Sequence, residues 1–246
     1  MLETGEVREG RPLLLAVLID ADNVSASNAE AILREITSYG EPALRRVYGD
    51  WSSPQLKGWV EKAQELGLVQ HQQTANTRGK NASDIGLVID AMDILHSGRF
   101  DGFVLVSSDS DFTRLAIRIR EQGLTVIGIG EEKTPRSLKN VCNRFVTIEN
   151  ILEKPGPAED GKPGAPSGKK RPLSEAIPLI IAAMDRIDPE GEWYPLGQIG
   201  NQLLAEIPDF DPRSYGKTKL SDLVRETRRF EIRRGPGNHL QIRRRD

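Results

Sequence analysis

Aspartate dominates the chemistry-bearing positions of this 246-residue chain. Asp20 lies in LLLAVLIDADN, Asp84 in GKNASDIGLVIDAM, and Asp109 and Asp111 in FVLVSSDSDF. The first and last of these segments set acid after an apolar, strand-like run. The middle one sets acid at the start of an amphipathic helix. Carboxylates gathered at one end of a buried sheet repel one another. Two unit charges ~4 Å apart cost about 1 kcal/mol in water and about 4 kcal/mol at an effective dielectric near 20. A divalent cation removes that repulsion. Hard oxygen ligands around an open site suit Mg2+ or Mn2+. One or two such ions can acidify a bound water and stabilise charge building on a phosphate under attack. The chemistry indicated is metal-assisted phosphoester hydrolysis.

Each motif alone has a plainer explanation. Asp followed by Asn is common in turns, so Asp22 and Asn23 could shape a loop or orient a carboxylate. Asp111 or Ser110 could cap the following helix. Asp84 could complement a helix dipole. The conjunction is sharper, because all four acids fall at one predicted sheet edge. Asp84 also shares a helical stripe with Leu87, Val88, Ala91 and Leu95, which turns it inward. Asp90 lies about 240° around that helix from Asp84, so Asp90 and Asp93 are left outside the primary site. Ser107 and Ser108 are candidates to hydrogen-bond the ligands or a phosphate. Lys80, Arg114, Lys133 and Arg136 are candidates for phosphate contact, although an ordinary solvated cation is the plainer account of any one. Asp50 is a weaker, outer candidate. Trp51 could line a substrate groove or cover the core. His71, His96 and His239 show no ligand spacing.

These residues need a scaffold. Strand-like runs cover Leu13–Ile19, Ala43–Tyr48, Leu68–Gln73, Phe103–Ser107, Thr125–Ile129 and Phe145–Ile148, with helix-like stretches between most of them. Ser27 is the expected cap of the first helix, and Thr134 that of a helix opening on Pro135. Apolar strands alternating with helices predict an α/β domain with a mainly parallel sheet covered on both faces. Sites in such sheets form beyond the carboxyl ends of the strands. Residues 153–168 are rich in Pro and Gly and read as a flexible linker. Beyond them come three amphipathic stretches (LSEAIPLIIAAMDRI, PLGQIGNQLLAEI, KTKLSDLVRET) and two short strands around a Gly-Pro-Gly turn. Three helices and a hairpin predict a small winged helix-turn-helix domain.

Charge divides along the same line. Residues 1–153 hold 17 basic and 22 acidic side chains, residues 169–246 hold 15 and 12, and the stretch from Arg213 holds 11 and 4. The basic end marks a polyanion-binding segment, with Lys217, Lys219, Arg229, Arg233 and Arg243 as candidate nucleic-acid contacts. In the hairpin, Phe230 and Ile232 share one face of the first strand, and Leu240 and Ile242 one face of the second. The arginines are then expected on the other side. A solvated, charge-protected edge is the plainer alternative. Trp193 and Tyr194 could stack on bases, but completing the small core is the simpler expectation. Cys142 is the sole cysteine, which excludes an intrachain disulfide and Cys-based zinc sites. The charged first residues lack a secretory signal and no apolar run reaches membrane length, so a cytoplasmic protein is expected.

The motifs LLLAVLIDADN, GKNASDIGLVIDAMDIL, DGFVLVSSDSDFTRLA and GIGEEKTPRSLKNVCNRFVTIENI resemble the NYN domain, in its LabA-like group within the PIN-like nucleases. The likeness spans residues 11–152. It implies a PIN-like Rossmannoid fold and a metal-dependent ribonuclease, with Asp20, Asp84, Asp109 and Asp111 as its acidic site and Asp22 and Asn23 beside it. Ser108 stands where the wider family often has Gly. PLSEAIPLIIAAMD, GEWYPLGQIGNQLL and DFDPRSYGKTKLSDLVRETRRFEI resemble an OST-HTH (LOTUS) domain, within a segment taken as 169–246. That likeness implies a winged-helix module for RNA or a protein partner. Two other functions stay open on sequence grounds. One is a non-catalytic RNA-binding or regulatory adaptor. The other is a HAD-type phosphatase, suggested by D-A-D after the first strand. Against the latter, Val24 follows the motif and no cap insertion is evident.

Overall fold

A computed structural model describes residues 11–72, 82–152 and 170–245. Backbone contacts group the chain into two compact units, one ending at Ile129 and one beginning at Gly130.

The first unit alternates strand and helix: β1 Leu14–Asp20, α1 Ala29–Ile36, β2 Glu41–Gly49, α2 Lys57–Leu66, β3 Val69–Gln72, α3 Ala82–His96, β4 Gly102–Val106, α4 Thr113–Glu121 and β5 Thr125–Gly130. The second holds α5 Arg136–Val141, β6 Arg144–Thr147, α6 Ile148–Leu152, α7 Leu173–Ile187, β7 Tyr194–Pro195, α8 Leu196–Glu206, α9 Leu220–Thr227, β8 Phe230–Arg234 and β9 Leu240–Arg244.

The larger sheet has the order β3-β2-β1-β4-β5-β6. β1 runs parallel to β2 and β4, β2 to β3, and β4 to β5. This is the expected mainly parallel α/β sheet. Leu15 to Ile19 of β1 are fully enclosed, and β4 is buried throughout. Unbroken apolar strands of this kind need helices on both faces. β2 alternates exposed and half-buried positions until Val47, Tyr48 and Gly49, which are buried. The strand therefore enters the core only at the end that leads toward the acidic loops.

Two expected caps differ in detail. Ser25, rather than Ser27, caps the turn before α1, its side chain accepting from the Ser27 amide. The Thr134 hydroxyl donates to the Glu131 carbonyl at 2.6 Å, and Pro135, with extended ψ of 143°, precedes the first helical residue of α5. In the first place a serine two positions earlier caps the turn, and in the second the threonine hydroxyl closes a turn back to Glu131.

The C-terminal helices α7, α8 and α9 close over a core that includes Ile180, Met184, Ile199, Leu203, Leu223 and Phe230. The expected hairpin is present, with β8 and β9 antiparallel. A third strand joins it: β7 pairs with β9, setting Tyr194 opposite Ile242. Two residues are too short to leave a periodic signal in sequence.

Candidate active site

β1 delivers Asp20 at its last position, where the residue is 1% exposed. The loop that follows folds back on the carboxylate. The Asp22 amide donates to Asp20 Oδ1 at 3.2 Å, and Asn23 Nδ2 donates to Oδ2 at 2.6 Å. Asn23 is thus an orienting residue. From the end of β4, the Ser107 hydroxyl donates to Asp20 Oδ2 at 2.8 Å and accepts from the Asp109 amide at 3.0 Å. One buried serine therefore ties together both strand-end loops. Burial pushes the Asp20 carboxyl above its usual range, against the downward pull of the Ser107 and Asn23 hydrogen bonds.

Asp109 Oδ1 accepts from the Asp111 amide at 2.9 Å and caps the short turn over residues 110–112. The cap is therefore Asp109, where Asp111 or Ser110 was expected. This leaves the Asp111 side chain exposed at the rim. Asp84 is half-buried in the first turn of α3, a helix that packs on β1 and β2. One carboxylate oxygen from each of Asp84, Asp109 and Asp111 lies within 4.8 Å of the others. Burial pushes the Asp84 carboxyl up to about 6, followed by the charges of Asp20, Asp109, Asp111 and Asp22.

Of the four predicted acids, three thus converge on one point. Asp20 stands outside that three-oxygen group, held by its own hydrogen bonds, and is the largest single charge acting on Asp84. The set passes a chemical test for a hard divalent cation: it is all oxygen, negatively charged and partly open.

The supporting candidates scatter more widely. Asp22 is exposed, and Ser108 is half-buried between the Asp20-bound Ser107 and Asp109. Arg114 is exposed in the first turn of α4. Lys80 lies outside the described residues. Lys133 is exposed and pairs with Glu131 at 2.6 Å, and Arg136 is exposed at the start of α5. Lys217 meets Glu226 at 3.6 Å, while Lys219 and Arg229 are exposed. Arg233 donates to Gln241, and Arg243 pairs with Glu231 and Glu192. Asp50 is held by Ser52 and Gln72, and its hydrogen bonds with them hold its carboxyl below the usual range. Trp51 is half-buried, with its backbone amide on Gln72 Oε1 at 3.2 Å. Its ring packs so close to Gly49 that a Cβ there would come within 3.1 Å of it and 2.7 Å of Leu56.

One cluster escaped sequence reasoning. Asp90 accepts from both Arg46 and the Tyr48 hydroxyl, and its Oδ2 lies 4.0 Å from His71 Nδ1. Tyr48 sits between Asp20 and His71 in the sheet register, and its ring centroid is 5.1 Å from that of His71. Burial holds the His71 imidazole below its usual pKa, so it is neutral near pH 7. Asp90 is therefore a structural anchor for α3, set apart from the acidic trio. The available signal was the pair Arg46 and Tyr48, two residues apart on a strand and so on one face.

Residues 14–149 match the NYN domain, and residues 169–242 match the OST-HTH/LOTUS domain. No curated protein matches the chain. Among solved structures, the chain is similar to a protein of unknown function, VPA0982, from Vibrio parahaemolyticus RIMD 2210633. The two are 21% identical, with 59% of this chain and 98% of that one covered at a TM-score of 0.50. That likeness concerns fold alone. The NYN match spans more than half of the polypeptide and contains all four aspartates, so the chain belongs to the NYN domain family, with an OST-HTH/LOTUS domain following in the same polypeptide.

Proposed function

We propose that the protein is a metal-dependent ribonuclease that cleaves RNA phosphodiester bonds internally. The observation that carries this reading is the convergence of Asp84, Asp109 and Asp111 within 4.8 Å, inside an NYN domain. An NYN domain with an OST-HTH/LOTUS domain supports an RNA-related nuclease or RNA-binding role. Asp84, Asp109 and Asp111 would hold Mg2+ or Mn2+, with Asp20 as a fixed charge behind them. When bound, the cation supplies positive charge against the phosphate and acidifies water for attack. The protein's own contribution is position. Ser107 and Asn23 lock Asp20, the Asp109 cap fixes the loop after β4, and α3 brings Asp84 to both. Asp84 can exchange its proton for a cation, because burial and then its neighbours' charges already disfavour its ionised form. In this scheme the C-terminal domain selects or delivers RNA, its place in the same chain raising its effective concentration; the segment read from sequence as the linker, 153–168, lies outside the described residues.

The phosphatase alternative requires Asp20 to reach phosphorus as a nucleophile. Its 1% exposure and its hydrogen bonds to the Asp22 amide, Asn23 and Ser107 argue against that role. Cleavage of a labelled unstructured RNA with Mn2+ or Mg2+ tests the proposal. Wild type should cut, and Asp20→Asn and Asp109→Asn should each slow cleavage by about a hundredfold or more. Equal rates in all three would reject this site. Binding without cleavage across diverse RNAs would favour the adaptor reading, and an acyl phosphate trapped at Asp20 would favour the phosphatase.

A further inference from the structure

The three-stranded sheet β7-β9-β8 has two unlike faces. On one, Phe230, Ile232, Leu240 and Ile242 join the domain core. Strand alternation sends Glu231, Arg233, Gln241 and Arg243 to the other. Arg229 and Arg245 continue that alternation just beyond the strand ends, where the Arg245 amide donates to the Arg229 carbonyl at 3.0 Å. Trp193 precedes Tyr194, whose side chain is buried in the core, so the indole falls on the arginine side. It is half-buried there. The Arg233 guanidinium lies 3.9 Å from its ring centroid and that of Arg243 lies 4.9 Å away. One sheet face thus carries four arginines, one glutamate, one glutamine and one tryptophan.

We propose that this face binds single-stranded RNA, with Trp193 as the base-stacking platform and Arg229, Arg233, Arg243 and Arg245 as phosphate contacts. This deepens the RNA-delivery role proposed above and rests on it. Charge complementarity selects a polyanion, and an aromatic ring set among cations selects one with unpaired bases, since a base inside a duplex offers no free ring face. Glu231 and Glu192 hold Arg243 near the indole at 2.7 and 2.6 Å. Such exposed ion pairs contribute little and exchange readily for phosphate. Arg233 and Arg243 therefore leave the ring to bind phosphate, and the base takes the place they vacate.

The test uses the full-length chain carrying Asp109→Asn, in chelator, with a fluorescein-labelled 12-nucleotide oligouridine read by anisotropy. Trp193→Leu, which keeps an apolar cover on the sheet, should weaken binding about tenfold, and Trp193→Phe should restore most of it. The paired change Arg229→Gln and Arg233→Gln should weaken binding and flatten its salt dependence. A duplex of the same length should compete poorly. If the parent chain binds the oligonucleotide but Trp193→Leu binds equally well, the platform is overturned while the RNA reading stands, and the face is left to a protein ligand. If the parent chain binds no RNA, the delivery role falls with it. Equal competition by duplex would also overturn the proposal.

Discussion

Asp84 takes up a proton near pH 6, where an ordinary aspartate is ionised. Its folded pKa lies above the unfolded value of 3.8, so the folded chain binds more protons between the two, and stability falls as pH rises across that window. The loss is complete above about pH 6, where both states are ionised. Asp84→Asn should therefore raise the melting temperature of the metal-free protein at pH 7.5, and the gain should disappear near pH 3.5. A lower melting temperature for Asp84→Asn at pH 7.5 would show that the acids do not strain the site. Mn2+ affinity should also weaken below pH 6, since ligands must shed protons to bind, and calorimetric titration at several pH values reads this directly. Ser107 offers a milder probe. Ser107→Ala removes a hydrogen bond to buried Asp20 and should cost about 1–3 kcal/mol in chemical denaturation.

At the scale of elements, α3 has to approach four like charges at its first turn. The bonds from Arg46 and Tyr48 to Asp90, six residues further on, hold it against the sheet. Although burial opposes it, these partners keep the Asp90 carboxyl below its usual range. Asp90→Asn should lower stability by about 2 kcal/mol in urea denaturation, and Tyr48→Phe by about 1 kcal/mol. If α3 drifts when released, Asp90→Asn should also weaken Mn2+ binding, although Asp90 is not a proposed ligand. The strands and most helices were legible because β1, β4 and β5 are continuous apolar runs of strand length. Asp20, Asp109 and Asp111 were legible because they end or follow such runs, and Asp84 because it opens an apolar helical stripe. The Asp90 anchor was not, because helical angle alone places Asp90 away from Asp84 and says nothing of what lies beneath it. β7 was invisible because its two residues are strand only by pairing with β9. Caps shifted by a residue or two because a short 3-10 turn precedes both α1 and α4, and Ser25 and Asp109 cap those turns by accepting from the Ser27 and Asp111 amides.

At the scale of the whole molecule, an acidic NYN domain and an arginine-rich OST-HTH/LOTUS domain share one chain. Among the described residues, no helix is long and apolar enough to cross a membrane. If the basic face holds RNA through four arginines, log affinity against log salt should slope by about −3, and each arginine removed should reduce it by about 0.7. Binding and cutting should then separate: hairpin variants should raise KM, while acidic-site variants should lower the single-turnover rate at saturating RNA. The most direct test is that single-turnover cleavage rate, measured against Mn2+ concentration in wild type and Asp84→Asn. The wild-type rate should be negligible in chelator and rise to saturation with Mn2+, and Asp84→Asn should require more Mn2+ and saturate at a much lower rate. A rate indifferent to Mn2+, or an Asp84→Asn curve that overlays the wild type, would contradict the account.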